Sequence, residues 1–180
     1  MIPSSLLLPA RTIAGAGSIA RLAAEAAVFG SAGVLVHGRS LAASGTLRAV
    51  VDAAPRGVRI VPYVHGGGEP TLDDVDRLRA FLRESPCDWV AAVGGGSVID
   101  LAKAAAGLRD APEPTAAYQA GAPIPPAVLP FVAAPTTAGT GSEATVVAVL
   151  TDPARTLKQS IRHPSFLPRL VVLDADLLRP

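Results

Sequence analysis

Three consecutive glycines and a serine, Gly94-Gly95-Gly96-Ser97, separate an apolar run from a segment of helical spacing in AAVGGGSVIDLAKAAAG (residues 91–107). Glycine costs conformational entropy and is used where backbone must bend sharply or come close to something else. A helix start offers free N–H groups at the positive end of the helix dipole, and glycines let an anion reach them without meeting a Cβ. A pyrophosphate fits that description. Ser97 can cap the helix or donate to phosphate, and Asp100, one turn in, can complement the dipole or meet a polar ligand group. A tight turn leading into an ordinary capped helix is the competing reading.

A second cluster follows in AAPTTAGTGSEATVVAVL (residues 133–150). Thr136, Thr137, Thr140 and Ser142, with two glycines among seven positions, make a loop dense in hydroxyl and backbone donors. Such a loop suits a phosphate, a ribose or a carboxamide. Ser142 lies in no GxSxG elbow, and no GxxxxGK[ST] loop is present. Gly15 to Ala20 reads GxGxxA, the dinucleotide pattern, but RTIA before it is a poor strand and no acidic residue follows about 20 positions on. That stretch is read as a turn into the first helix. His37, His65 and His163 are scattered and have no i, i+4 partner, so no metal ligand set is visible.

These clusters need a frame. Strand-length apolar bursts occur at Gly33 to His37, Val58 to Val64, Asp88 to Val93, Phe131 to Ala134, Thr145 to Leu150 and Leu170 to Leu173. Several lack polar alternation, as strands covered on both faces do. Helical patterns lie at Ser18 to Phe29, Ser40 to Ala53, Thr71 to Arg83 and Ser97 to Leu108. The alternation predicts βαβ units: an α/β fold with a Rossmann-like parallel sheet flanked by helices. Glu69-Pro70-Thr71 followed by Asp73, Asp74 and Asp76 marks the third helix start, since acidic side chains suit that end of the dipole. Asp110 to Pro130, rich in proline and alanine, reads as an irregular surface connection.

Length and composition narrow the options. The 180 residues suit one domain, 1–180, and the formal charge of +1 gives no basic surface for nucleic acid. Cys87 is the single cysteine, which fits a reducing compartment. The N-terminal stretch has too short an apolar run for a secretory signal and nothing reaches membrane-spanning length, so a soluble, cytoplasmic protein is expected. Of 16 basic residues only Lys103 and Lys158 are lysine, a compact point charge where arginine is a planar fork.

DWVAAVGGGSVIDLAK, then PTTAGTGSE about 30 residues on, a lysine in TLKQSI, and FLPRLVVLDADLL occur in an order that resembles the iron-containing alcohol dehydrogenase family of the dehydroquinate-synthase-like superfamily. The likeness runs from about Ile13 to Pro180 and covers the N-terminal half of such an enzyme. It implies a nucleotide-binding domain that precedes an all-helical domain holding a divalent metal, iron or zinc, with a nicotinamide cofactor in the cleft between them. By position, Gly94, Gly95, Gly96 and Ser97 would bind the pyrophosphate, with Asp100 and Lys103 on the helix behind. Thr136, Thr137, Thr140 and Ser142 would line the ribose and nicotinamide side, and Lys158 would reach the cofactor ribose.

The departures from the family pattern are informative. Where members using NAD carry an aspartate after the first strand, this chain reads Gly38-Arg39-Ser40. Loss of that carboxylate removes repulsion toward a 2′-phosphate that Arg39 and Ser40 could bind, which favours NADP(H) over NAD(H). The family's metal ligands lie beyond the matched segment, and Asp174 and Asp176 match the turn before them. No metal ligand and no catalytic residue is therefore assigned here. The resemblance implies the cofactor-binding part of an NAD(P)-dependent alcohol dehydrogenase or aldehyde reductase, inactive alone. Its bare face would be covered by self-association or by a partner chain supplying the C-terminal half. The alternatives are a nucleotide-binding module without catalysis and the cofactor half of a dehydroquinate-synthase-like lyase.

Overall fold

The computed structural model describes residues 6–178. Its strands are β1 (Arg11–Ala14), β2 (Ala32–Gly38), β3 (Arg59–His65), β4 (Trp89–Gly94), β5 (Phe131–Pro135), β6 (Val147–Asp152), β7 (Leu157–Arg162) and β8 (Leu170–Leu173). Six of them form one parallel sheet in the order β1-β8-β5-β4-β2-β3, and β6 pairs with β7 as a separate antiparallel hairpin. The helices are α1 (Leu22–Ala26), α2 (Arg39–Ala43), α3 (Thr46–Asp52), α4 (Leu72–Glu84), α5 (Gly96–Leu108) and α6 (Thr115–Gln119). The expected Rossmann-like α/β sheet is the one that forms.

Period-two alternation along the strands sends side chains to two cores. Val34 and Val36 of β2 face α4 and α5 with Val75, Leu78 and Leu101, while Leu35 faces the opposite layer with Leu22, Val50 and Trp89. β4 and β5 are buried along their whole length, which is why WVAAVG and FVAAP show no polar alternation. Helix α5 is buried from Val98 to Leu108, and its alanines let it sit close to the sheet and α4 on one side and to β6 on the other. At the start of α4 the predicted signal resolves into a capping box: the Thr71 hydroxyl accepts from the Asp74 amide at 3.1 Å and the Asp74 carboxylate accepts from the Thr71 amide at 2.9 Å.

Several expectations change. Ser40 to Ala53 is two helices, because Gly45 takes φ +77° between them. Ser18 to Phe29 is α1 flanked by 3₁₀ turns at Ser18–Arg21 and Ala27–Phe29. RTIA, read as a poor strand, is edge strand β1, because β8 pairs with it from Arg11↔Leu170 to Ala14↔Leu173. The connection from Asp110 to Pro130 contains α6, fastened by the buried Arg79 guanidinium, which donates to the carbonyls of Leu108, Ala111 and Glu113. Thr145 to Leu150, read with the sheet strands, belongs to the hairpin, whose second strand LKQSIR is too polar to show as a strand.

Among the described residues no helix is long and apolar enough to cross a membrane. Residues 1–5 of the stretch read for a secretory signal, and residues 179–180 at the end of the matched segment, lie outside the described residues.

Candidate functional site

From β2 the chain runs outward to β3, then returns to β4 on the other side of β2 and continues to β5. That reversal opens a crevice beyond the carboxyl ends of β2 and β4, where open α/β sheets take their ligands. β2 ends in Gly38 and β4 in Gly94, on adjacent strands paired at His37↔Val93. Two of the stretches singled out in the sequence therefore share one edge of the sheet.

Close contact accounts for two of the three glycines at the β4–α5 turn, none of which has a positive φ. A Cβ on Gly94 would stand 2.7 Å from Val98 Cβ, and one on Gly96 would stand 2.8 Å from Thr140 Cγ2. At Gly95 the nearest atoms, on Thr137, leave 3.5 Å. The helix cap is Gly95 and not Ser97: the Gly95 carbonyl accepts from the Val98 and Ile99 amides at 3.1 Å, and no side chain caps α5. The Gly96 and Ser97 amides, in the first helical turn, have no carbonyl four residues back within the helix to receive them. Ser97 is thereby left to face the crevice.

A cleft of about 670 Å³ opens on these amides. It brings together Gly95, Gly96, Ser97 and Asp100 from the turn and α5, Thr137, Thr140 and Ser142 from the loop after β5, and Lys158 from β7. Sequence reasoning missed Ala138, Gly139, Val149 and, above all, Glu69. Glu69 sits at the rim, its carboxylate 2.9 Å from Lys158 Nζ, with both side chains more than half exposed. Its signal in the sequence was absorbed into the start of α4.

Other nominated residues lie around this cleft. Gly94 is behind the turn, where its carbonyl accepts from the Thr136 amide at 3.0 Å and ties the ends of β4 and β5. Thr136, expected beside Thr137, Thr140 and Ser142, does not border that cleft; with Thr137 it lines a second hollow of about 370 Å³ together with Ser40, Leu41, Ser44 and Leu177. Thr137 thus borders both spaces. Gly38 precedes α2, and Arg39, exposed at the head of that helix, stands over Gly66 and makes no ion pair among the described residues.

The two ionisable residues of α5 are buried. Lys103 has no exposed surface, and its Nζ donates to Ser142 O at 2.6 Å, Val147 O at 2.7 Å and Thr145 Oγ1 at 3.2 Å. It does not border the cleft. Burial pulls its pKa down to about 8 against the opposing charges of Asp100 and Glu143. Asp100 accepts from the Val149 amide at 3.1 Å through Oδ2, while Oδ1 is buried, without a hydrogen-bond donor, and 3.8 Å from Lys103 Nζ. Burial raises its pKa, outweighing the Val149 amide and the Lys103 charge.

The chain matches known proteins along nearly its whole length. The family model described as iron-containing alcohol dehydrogenase matches residues 9–175. The probable alcohol dehydrogenase EutG of Escherichia coli (strain K12) is 37% identical over 172 residues, which is 94% of this chain and 44% of that protein. Phosphonoacetaldehyde reductase of Streptomyces viridochromogenes is 44% identical over 119 residues, 62% of this chain and 30% of that one. The crystal structure of sulfoacetaldehyde reductase from Bifidobacterium kashiwanohense in complex with NAD+ superposes with a TM-score of 0.91 at 30% identity, covering 99% of this chain and 48% of that one. The chain spans less than half the length of each of these relatives. The chain therefore belongs to the iron-containing alcohol dehydrogenase family and corresponds to the N-terminal half of its members.

Proposed function

We propose that the chain is the part of an alcohol dehydrogenase or aldehyde reductase that binds a nicotinamide dinucleotide and presents it for hydride exchange with an alcohol or aldehyde. One observation carries the reading: the unpaired amides of the glycine turn open at the sheet's reversal point into the same cleft as the threonine loop and Lys158. Gly95, Gly96 and Ser97 take the pyrophosphate. Asp100, Thr137, Thr140, Ser142 and Lys158 take the nicotinamide and its ribose, and the hollow bordered by Ser40, Thr136 and Leu177 takes the adenosine. When bound, the coenzyme supplies the hydride chemistry; this chain's residues bind and orient it. The apolar hollow formed by Ala14, Pro135, Leu173 and Leu178 is the face for a second copy or a partner chain to cover.

The family's name implies iron, and the described residues do not fit one. Among them no three His, Cys, Asp or Glu side chains come together in a way that could hold a metal. No step is therefore routed through a metal on this chain's residues.

Absence of a carboxylate at Gly38, and an Arg39 guanidinium that makes no ion pair among the described residues, favour NADP(H) over NAD(H), with Arg39 and Ser40 receiving the 2′-phosphate. Thermal unfolding with added NADPH or NADH tests both parts. A ligand that binds only the native state at a hundred times its Kd adds about 2.7 kcal/mol. NADPH is expected to raise the melting temperature more than NADH, and Gly38→Asp to reverse the order. Failure of both coenzymes to move it removes the reading, and a larger shift with NADH removes the NADP(H) preference.

A further inference from the structure

Lys103 reaches the coenzyme only through other residues. We infer that it is a positioning residue: it fastens the loop from Thr140 to Val147 onto α5, so that Thr140 and Ser142 form the cleft wall on the nicotinamide side. This rests on the coenzyme reading above and assigns a role inside it.

The geometry is convergent. The Lys103 ammonium has three N–H groups, and Ser142 O, Val147 O and Thr145 Oγ1 lie 2.6, 2.7 and 3.2 Å from Nζ. Ser142 lines the cleft, and its amide donates to Thr140 Oγ1 at 3.3 Å, so the anchor and the cleft wall are one short stretch. Further along, Asp100 receives the Val149 amide, so α5 grips the chain again where β6 begins. A lysine suits the place in a chain otherwise rich in arginine, because a compact ammonium can aim three donors at three oxygens in a dry pocket. A flat guanidinium needs a wider one.

Protonation supplies a readout. The charged groups facing Lys103 are Asp100 from α5 and Glu143 from the loop, and burial outweighs both in bringing its pKa down to about 8. Above that pH the neutral amine keeps two N–H groups and one of the three acceptors loses its donor. The loop is then held less firmly.

The test is titration of the chain with NADPH and with ADP, which lacks the nicotinamide ribose and so does not reach the wall in question. In Lys103→Met the dissociation constant for NADPH is expected to rise about tenfold at pH 7, about 1.4 kcal/mol, with that for ADP within about twofold of the unaltered chain. The unaltered chain should lose NADPH affinity several-fold between pH 7 and 9.5, and the variant should lose none over that range. If Lys103→Met does not fold, Thr145→Val removes one acceptor and should weaken NADPH by about two- to threefold while sparing ADP. Equal weakening of both ligands, or unchanged NADPH affinity in a folded variant, overturns the positioning role and leaves the coenzyme site standing. An unaltered chain that binds neither ligand overturns the coenzyme reading, and this role falls with it.

Discussion

Two glycine turns in this molecule look alike in sequence and do opposite things. At Gly15 to Ala20, the GxGxxA stretch, the Gly17 and Ile19 amides donate to the two carboxylate oxygens of Asp174 at 3.0 and 2.9 Å. The protein fills that turn with an anion of its own, brought by the end of β8. At Gly94 to Ser97 no carboxylate among the described residues occupies the turn, and the amides face a cleft. A turn of free N–H groups is thus a lock or a ligand site depending on whether the chain supplies the negative charge. The first should govern stability and the second binding.

The largest effect expected from this contrast is at the closed turn. Asp174 is 1% exposed and also accepts from the Asp176 amide at 2.9 Å, and Asp174→Ala strands the Gly17 and Ile19 donors. Loss of the two charge-assisted bonds from Gly17 and Ile19, with partial exposure of those donors, should cost about 2 to 3 kcal/mol in urea unfolding. Burial works against ionisation of Asp174, yet the Ile19, Asp176 and Gly17 amides together hold its pKa below the ordinary value. A depressed carboxylate pKa contributes stability above the unfolded value, near pH 4, and loses it as pH falls through the lower folded value. The acid limb of stability against pH should therefore be shallower in the variant. A loss below about 0.5 kcal/mol with an unchanged acid limb would break the contrast, since exposed sites without such a role fall in that range.

At the open turn the expected signature is the reverse. Gly96→Ala places a methyl 2.8 Å from Thr140 Cγ2, so Thr140, part of the cleft wall, must shift to accommodate it. Alanine is also the better helix residue by up to about 1 kcal/mol. Urea unfolding should move by less than about 1 kcal/mol in either direction while coenzyme affinity falls about tenfold, equivalent to about 1.4 kcal/mol. A folded variant that binds coenzyme unchanged would make this turn structural as well.

What the sequence disclosed follows the same division. The open turn was legible because its parts are neighbours: a buried strand, three glycines and a helix run on without interruption from Trp89 to Leu108. The lock was not, since Asp174 meets Gly17 and Ile19 across more than 150 residues, and LDADLL reads equally well as an ordinary strand end. β1 was missed for a related reason, being a four-residue edge strand whose partner β8 is the last strand along the chain. The hairpin was half seen, because LKQSIR keeps much of its side-chain surface outward and carries no apolar pattern. Lys103 could be placed on α5 from its spacing, but whether it faced ligand or loop depended on how β6 packs over the helix. Tertiary packing also decided the cap: Ser97 is a good capping residue, and the chain enters the helix at Gly95, two residues too early for it to serve.

The start of α4 offers a third state and the smallest expected effect. Here the donors are satisfied locally, by Thr71 and Asp74 in the capping box, with Arg77 paired to the same carboxylate. Burial opposes ionisation of Asp74, but the Thr71 hydroxyl and amide, with Arg77, hold its pKa below the ordinary value. Thr71→Ala removes the hydroxyl that the Asp74 amide donates to and should cost about 1 kcal/mol in urea unfolding. Thr71 also lies two residues from Glu69, and the Pro70 carbonyl between them accepts from the Thr151 amide at 2.9 Å. If that bond and the Glu69–Lys158 pair hold the cleft rim independently of the cap, coenzyme affinity in Thr71→Ala stays within about twofold. A fall beyond that would couple this helix start to the cleft, and the division between turns that stabilise and turns that bind would then apply to two of the three sites only.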